Sequence, residues 1–477
     1  MVVRTDGSGV DFTRIRTEFG LPAQFPGPVL AEAERAVAEF GQPGTRRDDR
    51  VDATDLPLVT IDPAGAKDLD QAMLVERRAD GGFRVHYAIA DLGAFLTPGG
   101  ALDAEVRRRG QTLYLPDGNV PLHPTVLSEG AASLLPDQVC PAALWTIDCA
   151  ADGEATGAHV RRALVRSVAR LDYGCVQRSM ADGVMHPSIT DLPALGRLRR
   201  ERAVARGAVE LQLPDQEVEP DADGGWQLVL RPRTEVDAWN AEISLLTGMA
   251  AARLMLDAGI GVLRTLPAPD NGAVKWLRRS ARSLGIPWPK SMDPGELIAR
   301  LDPNQPETLA LHMDATRLLR GAAYTVFDGV EPELSGHAGI AAPYAHVTAP
   351  LRRLVDRFGA EICLALSADK PVPDWVRAAL PELPDLMAGT DALANKVDKA
   401  CLDQVEAWVL GNRIGQEFDA IVLRADGRLA EVFVAEPPVI SKCAGDGIPE
   451  GESIRVRLTE ADADRRKVTF ERVERIG

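Results

Sequence analysis

Three aspartates fall within nine positions, Asp62, Asp68 and Asp70, directly after the apolar run LVTI, with Lys67 as the only cation among them. Carboxylate oxygens are the ligands that hard cations such as Mg²⁺ take, usually one or two from the protein, with water and substrate phosphate completing the shell. In an extended segment residues two apart share a side, so Asp68 and Asp70 can converge while Asp62 approaches from the end of the preceding strand. Carboxylates gathered in this way repel one another, and a divalent ion removes the repulsion. Such an ion can polarise a phosphoryl oxygen and lower the pKa of an attacking water, so phosphodiester hydrolysis is the first chemistry to consider. The competing reading is a solvated loop whose aspartates make Asx-turns and caps. An EF-hand calcium loop is excluded, because the D-x-D-x-D-G pattern is absent.

The elements that must position these residues can be read from local patterning. Residues 56–95 are β-like: LPLVTID, then AMLVERR, an ADGG turn and FRVHYAIADLGAF, a hairpin following the aspartate loop. A second strand pair is expected around ADGEA at 151–155. Residues 188–206 begin with cap candidates and continue as a helix, and 234–257 form a long apolar helix that must be buried on more than one side. Helical character dominates at 291–329 and 350–367, and the Pro-rich stretch DKPVPDWVRAALPELPDL separates that block from a further helix. The last 60 or so residues alternate with short turns, giving about five strands, which suits a small OB-type barrel. Such barrels bind single-stranded nucleic acid, and they also serve as plain structural modules.

With 477 residues, 45% apolar and 26% charged, the chain is an ordinary globular one, expected to form one large domain and at least one smaller one. Its six cysteines make no CxxC pair and no Cys/His cluster of zinc spacing, and they read as reduced, buried thiols of a cytoplasmic protein. No run of 18 apolar residues occurs, so no membrane partner is expected. No P-loop or glycine-rich dinucleotide fingerprint is present. The net charge of −16 argues against an evenly spread nucleic-acid surface, but the arginines are clumped at 107–109, 161–162, 197–206, 278–282 and 352–357. These clumps could line a channel or could simply solvate helix faces.

Five stretches in order resemble the RNB family of exoribonucleases, of the RNase II and RNase R type. VTIDPAGAKDLDQAM is similar to that family's acidic signature, and HYAIADL (86–92) to the strand after it. LYLPDGNVPLHPTVLSEGAASLLP (113–136), WNAEISLLTGMAAA (239–252) and HAGIAAPYAHVTAPLRRLVDR (337–357) resemble its later motifs. The resemblance implies an α+β chain: an arm with one helix at 1–50, a large mixed catalytic domain at 51–390, a connecting helix at 391–412 and an S1-like OB-fold barrel at 413–477. It implies an exoribonuclease that digests single-stranded RNA processively from the 3′ end to nucleoside 5′-monophosphates, using Mg²⁺ or, in its place, Mn²⁺. A monomer is the expected state.

Carried over position by position, the resemblance assigns Asp62, Asp68 and Asp70 to the metal centre, with Asp70 required for the chemical step. It places Arg352 at the scissile phosphate, where it would stabilise charge on the phosphoryl oxygens. Tyr114 would stack near the last nucleotide. Glu242 and Arg353 are counted with the RNA contacts, Arg353 more as support for its neighbours, whereas His337, Tyr344 and His346 read as packed structural groups. Two departures stand out. The fourth acidic position of the signature is Gln71, and the S-P-I-R-R-Y element is Ala349-Pro350-Leu351-Arg352-Arg353-Leu354. A glutamine carbonyl can coordinate a cation but brings no charge. A silent RNA-binding relative therefore stays open beside the enzyme, as does a hydrolase acting on DNA or small phosphate esters. Fifty residues before the catalytic domain cannot hold the two cold-shock-type domains of the family's larger members.

Overall fold

The computed structural model describes residues 10–42, 49–211, 213, 215–220, 225–231, 233–302, 305–445 and 447–475. Six strands build the central sheet: β1 (Val51–Asp52), β2 (Leu58–Asp62), β3 (Gln71–Arg77), β4 (Phe83–Ala90), β5 (Val139–Cys149) and β6 (Ala155–Asp172). Their order is β1-β6-β2-β3-β4-β5, and β6 also pairs with β5, so the last five strands form a ring. The hairpins read from ADGG and ADGEA are those joining β3 to β4 and β5 to β6. The first is tight. Gly81 adopts φ +84°, and Gly82 lies so close to β5 that a Cβ would stand 2.3 Å from the Cys149 carbonyl oxygen.

The central helix, Glu235–Ala258, opens with a Thr234/Asp237 capping box and stops at Gly259 in the left-handed region. Trp239, Ile243, Leu246, Ala251, Ala252 and Met255 along it are buried in one core with Met73, Val75 and Ile89 of the sheet. Gly196 of the helix Leu192–Ala205 allows close approach on another side, because a Cβ there would lie 2.4 Å from the Trp239 ring. The apolar run is thus covered on more than one face, as its composition requires.

Several expectations are corrected. The 291–329 block is only partly helical, with helices Pro294–Ala299 and Pro306–Ala315. Upstream of it stand the unanticipated hairpin β7 (Asp215–Pro220) and β8 (Trp226–Arg231), the strand β9 (Ile260–Thr265) and the helix Asn271–Ser283. The block itself ends in β10 (Ala323–Asp328), which pairs antiparallel with β9. Short β-branched and aromatic runs of this kind are decided by a distant partner strand. The Pro-rich stretch is not a separator. Pro373 caps the helix Asp374–Ala379 and Pro384 sits in the first turn of a helix running Leu383–Leu410, where a missing N–H costs nothing. The connecting helix therefore starts before 391. The N-terminal region carries two helices, Phe12–Glu18 and Gly27–Phe40, where one was expected; seven residues are too few for a periodic signal.

A minimal ladder of β11 (Gly336–His337) and β12 (Ala342–Pro343) precedes the terminal barrel. That barrel is closed in the order β13 (Glu417–Asp426), β14 (Leu429–Ala435), β15 (Pro438–Ala444), β17 (Lys467–Arg475), β16 (Ser453–Asp462). Val422, Val432, Val439, Val456, Leu458 and Phe470 fill it, and their cluster continues into Val397, Cys401 and Val405 of the long helix and Phe12 and Ile15 of the N-terminal helix. At this junction the Gln216 amide donates both to Glu406 of the long helix (2.8 Å) and to the Pro438 carbonyl (2.6 Å). The α+β class with a small terminal barrel is the observed architecture. All six cysteines are free, and among the described residues no helix is long and apolar enough to cross a membrane.

Candidate active site

The aspartate loop spans the gap between β2 and β3, with Asp62 at the end of β2. The segment after residue 130 holds it: Ser133 Oγ donates to the Lys67 carbonyl (2.6 Å) and accepts from Leu69 N–H (3.0 Å), while Leu134 N–H donates to the Leu69 carbonyl (3.0 Å). Leu69 is fully buried between Asp68 and Asp70 in the chain. Asp68 stays half-buried and accepts from the Tyr114 hydroxyl at 3.0 Å. Asp70 is 2% exposed, accepts from Leu351 N–H at 2.7 Å and faces Arg352 Nε at 3.4 Å.

The electrostatics follow from this burial. Desolvation pushes the Asp70 carboxyl up to about 8, against the pull of Arg352 and the Leu351 N–H, with Asp356 adding to the rise. Asp62, at the end of β2, is pushed up to about 6, first by burial; Arg352 opposes this and Asp68 reinforces it. One Asp62 oxygen, Oδ2, is buried with no hydrogen-bond partner. Arg352 thus serves two carboxylates at once, while its own side chain is 47% exposed and open to a ligand.

The three aspartates do not form a ready-made cage. Among the described residues no three His, Cys, Asp or Glu side chains converge on a common point. Asp68 accepts from Tyr114, and Asp70 from Leu351 beside Arg352. The residues nevertheless fit a hard cation that takes one or two protein carboxylates, because an orphaned buried carboxylate oxygen and a second carboxyl that burial protonates both call for added positive charge.

Arg352 is delivered by a pinned turn. Asp356, fully buried, accepts from Ala349 N–H (2.7 Å) and from Arg353 Nε and Nη2 (both 2.9 Å). Arg353 is therefore paired with Asp356, the supporting part expected of it, while it also lines the cavity shared with Tyr114 and Arg352. Thr112 N–H donates to the Arg352 carbonyl (3.0 Å) and Leu354 N–H to the Gly110 carbonyl (2.9 Å), so the strand-like run carrying Tyr114 lies beside the turn. Tyr114 is 48% exposed, and with Arg352 it lines a cavity of about 330 Å³ closed on the far side by Asn395, Val397 and Asp398 of the long helix. Sequence reasoning missed that wall, since nothing local relates the long helix to the residues it faces.

Glu242 is not among the residues that line this cavity. It is 5% exposed and faces the buried Arg199 at 3.8 Å, inside the core rather than at the aspartates. Tyr344 packs edge-on against His346 and His337, and the His346 ring pairs with the Tyr324 hydroxyl at 2.7 Å, a packed group as expected. Many of the clumped arginines are paired with carboxylates. Arg108 and Arg109 share Glu105, Arg162 joins Asp91 and Glu361, Arg202 joins Asp152 and Glu154, and Arg357 joins Asp103. Arg278 lies over the Trp288 ring. Gln71, the first residue of β3, donates its side-chain amide to the Thr348 carbonyl.

Comparison with known proteins agrees with this architecture. The RNB domain model matches residues 50–362, and the model of the RNase II-type exonuclease C-terminal S1 domain matches 416–473. Ribonuclease R of Vibrio parahaemolyticus is 25% identical over 511 residues, covering 95% of this chain and 59% of the relative. Ribonuclease R of Escherichia coli is 30% identical over 349 residues, covering 69% of this chain and 42% of the relative. The chain thus spans about two fifths to three fifths of the length of these relatives. Among solved structures, Mycoplasma genitalium RNase R in complex with ribose-methylated single-stranded RNA superposes with a TM-score of 0.86 at 18% identity, over 97% of this chain and 77% of that one. Yeast Ssd1, described as a pseudonuclease, superposes at 0.69 with 16% identity, over 89% of this chain and 53% of that one. With the RNB match running through well over half of its length, the chain belongs to the RNB family.

Proposed function

We propose that this chain is a hydrolytic 3′-to-5′ exoribonuclease, dependent on Mg²⁺ or Mn²⁺, that shortens single-stranded RNA processively and releases nucleoside 5′-monophosphates. The observation that carries the reading is the grouping of Arg352 over the buried Asp70 and the half-buried Asp62, with Arg352 and the exposed ring of Tyr114 lining one cavity. Residues 51–390 would act as the catalytic unit and 413–477 as an RNA-binding barrel, in a cytoplasmic monomer. The M. genitalium relative captured with single-stranded RNA supports that substrate class.

In this reading the 3′-terminal base stacks on Tyr114, a sequence-tolerant contact. The scissile phosphate lies against Arg352, whose half-exposed guanidinium meets the charge that develops on the phosphoryl oxygens. A divalent cation held by Asp62 and Asp70, with Asp68 beside them, would supply Lewis-acid polarisation of the phosphate. Asp70 must give up its proton before it can hold a cation, and Asp62 titrates ahead of it. Water attacks phosphorus, the bond to the 3′ oxygen of the preceding nucleotide breaks, and the 5′-phosphate leaves with the released nucleotide.

The test is a gel time course on 5′-labelled single-stranded RNA with Mg²⁺, with chelator and with Asp70→Asn. Metal-dependent shortening from the 3′ end that vanishes in the variant is the expected result. The second reading, a silent RNA-binding relative, draws on Gln71 in the fourth acidic position and on the likeness to a pseudonuclease fold. RNA that is retarded on a native gel but stays full length with every metal would establish that reading instead. Shortening of a deoxyribo-oligomer at the same rate would point to a hydrolase that does not read the 2′-OH.

A further inference from the structure

Asp70 and Gln71 are consecutive, and both grip the same turn. Asp70 accepts from Leu351 N–H at 2.7 Å and faces Arg352 Nε at 3.4 Å, while the Gln71 amide donates to the carbonyl of Thr348 at 2.5 Å. Only the nitrogen end of a glutamine amide can face a carbonyl oxygen, so the direction of this bond does not depend on how the amide is assigned. The Thr348 hydroxyl in turn pairs with Ser244 of the central helix at 2.8 Å, and Ala349 N–H is held by Asp356. The turn is thus fixed at its start by Gln71, Ser244 and Asp356, and at its end by Asp70.

We infer that Gln71 is a positioning residue: its amide ties the Arg352-bearing turn to the strand that carries Asp70, and position 71 in this chain is a hydrogen-bond donor and not a vacated metal ligand. An ionised aspartate or glutamate there has no proton to donate and would set a carboxylate against the Thr348 carbonyl oxygen. The glutamine is therefore matched to its surroundings, and restoring an acid loosens the turn instead of completing a metal site. This rests on the nuclease reading for its catalytic consequence, but its structural content can be measured without RNA.

The experiment uses the full chain as wild type, Gln71→Glu and Gln71→Asp. Hydrogen exchange of a peptide covering 346–356 is followed in the absence of RNA and metal, Mn²⁺ binding is measured by titration calorimetry, and kcat and KM are measured on single-stranded RNA. Gln71→Glu, nearly isosteric, should speed exchange of that peptide by about tenfold while distant sheet peptides keep their rates, as loss of one buried hydrogen bond requires. Gln71→Asp should tighten Mn²⁺ binding by less than about tenfold, which is the effect of added charge alone, and lower kcat by about tenfold with KM for RNA little changed. Unchanged exchange in Gln71→Glu, or Mn²⁺ binding tightened tenfold or more with kcat kept in Gln71→Asp, overturns the inference. If the exchange result holds while the wild type never cleaves RNA, the nuclease reading fails and the positioning role stands.

Discussion

Asp70→Asn should abolish catalysis and at the same time make the protein harder to unfold. The Asp70 carboxyl, ordinarily at 3.8, is pushed up to about 8 by burial, because Arg352 is itself half in water and too screened to offset the loss of solvation. The folded value is the higher one, so the stability tied to this group is complete below pH 3.8 and drains away as pH rises towards about 8. Between 3.8 and pH 7 the unfolded chain gains about 1.4 kcal/mol per pH unit that the folded chain does not, on the order of 4 kcal/mol in all. Asparagine keeps the shape and can still accept from Leu351 N–H, but it turns an amide towards Arg352. A net gain of roughly 2–3 kcal/mol at pH 7 remains after that contact is charged against it.

The assay is denaturant unfolding in chelator, followed by tryptophan fluorescence, since Trp145 and Trp239 lie in the same core as β3 and β4. The variant should be about 1–2 kcal/mol less stable than wild type near pH 4, overtake it at about pH 5 and gain on it steadily up to about pH 8, with the slope m unchanged. Added Mg²⁺ should stabilise wild type and leave the variant where it was, because a ligand stabilises only the state that binds it. RNA hydrolysis should fall on the order of 10³-fold or more. A variant less stable than wild type at pH 7 would refute the reasoning: Asp70 would then be an ionised anchor held by Arg352 and Leu351, and its proton would have no part in metal binding.

Arg352→Lys keeps the charge but loses the planar fork, and kcat should drop about a hundredfold with KM for RNA little moved, as steady-state kinetics would show. Tyr114→Ala should weaken RNA-end binding by about ten- to a hundredfold and lengthen the limit product on a sequencing gel, whereas Tyr114→Phe, which loses only the bond to Asp68, should stay within about threefold. Arg353→Ala leaves the fully buried Asp356 carboxylate unpaired and should cost about 3–5 kcal/mol in a melt; a loss of RNA affinity without a loss of stability would show Arg353 to act as an RNA contact instead. Glu406, pushed up to about 7 by burial at the junction of long helix and barrel, costs stability progressively as pH rises from its ordinary 4.5 through about 7. Glu406→Gln should therefore melt later than wild type at pH 8, by on the order of 3 kcal/mol, and together with it at pH 5. Equal pH dependence in the two proteins would sink that account.

What could be read from sequence was whatever is written locally. The ADGG and ADGEA turns, the long apolar central helix and the alternating barrel strands each declare themselves in their own stretch of chain, and each formed. Pairing at long range was not written there: β9 and β10 are short runs that become strands only by meeting each other, and the prolines after 370 looked like breaks until their helices placed them at N-termini. The site divides along the same line. Three close aspartates announce a place for a cation, but the partners that set their charge, Leu351 and Arg352, lie about 280 residues on, so neither the raised Asp70 nor the orphaned Asp62 oxygen could be foreseen. Charge counting misleads for the same reason, since a run of arginines looks basic until the carboxylates that many of them meet are in view. Gln71 is the sharpest instance. Beside its neighbours in the chain it reads as a ligand lost, and beside the Thr348 carbonyl, 277 residues away, it reads as a donor gained. The chemistry of a polar side chain is set by the group opposite it, and here the group opposite belongs to another part of the chain.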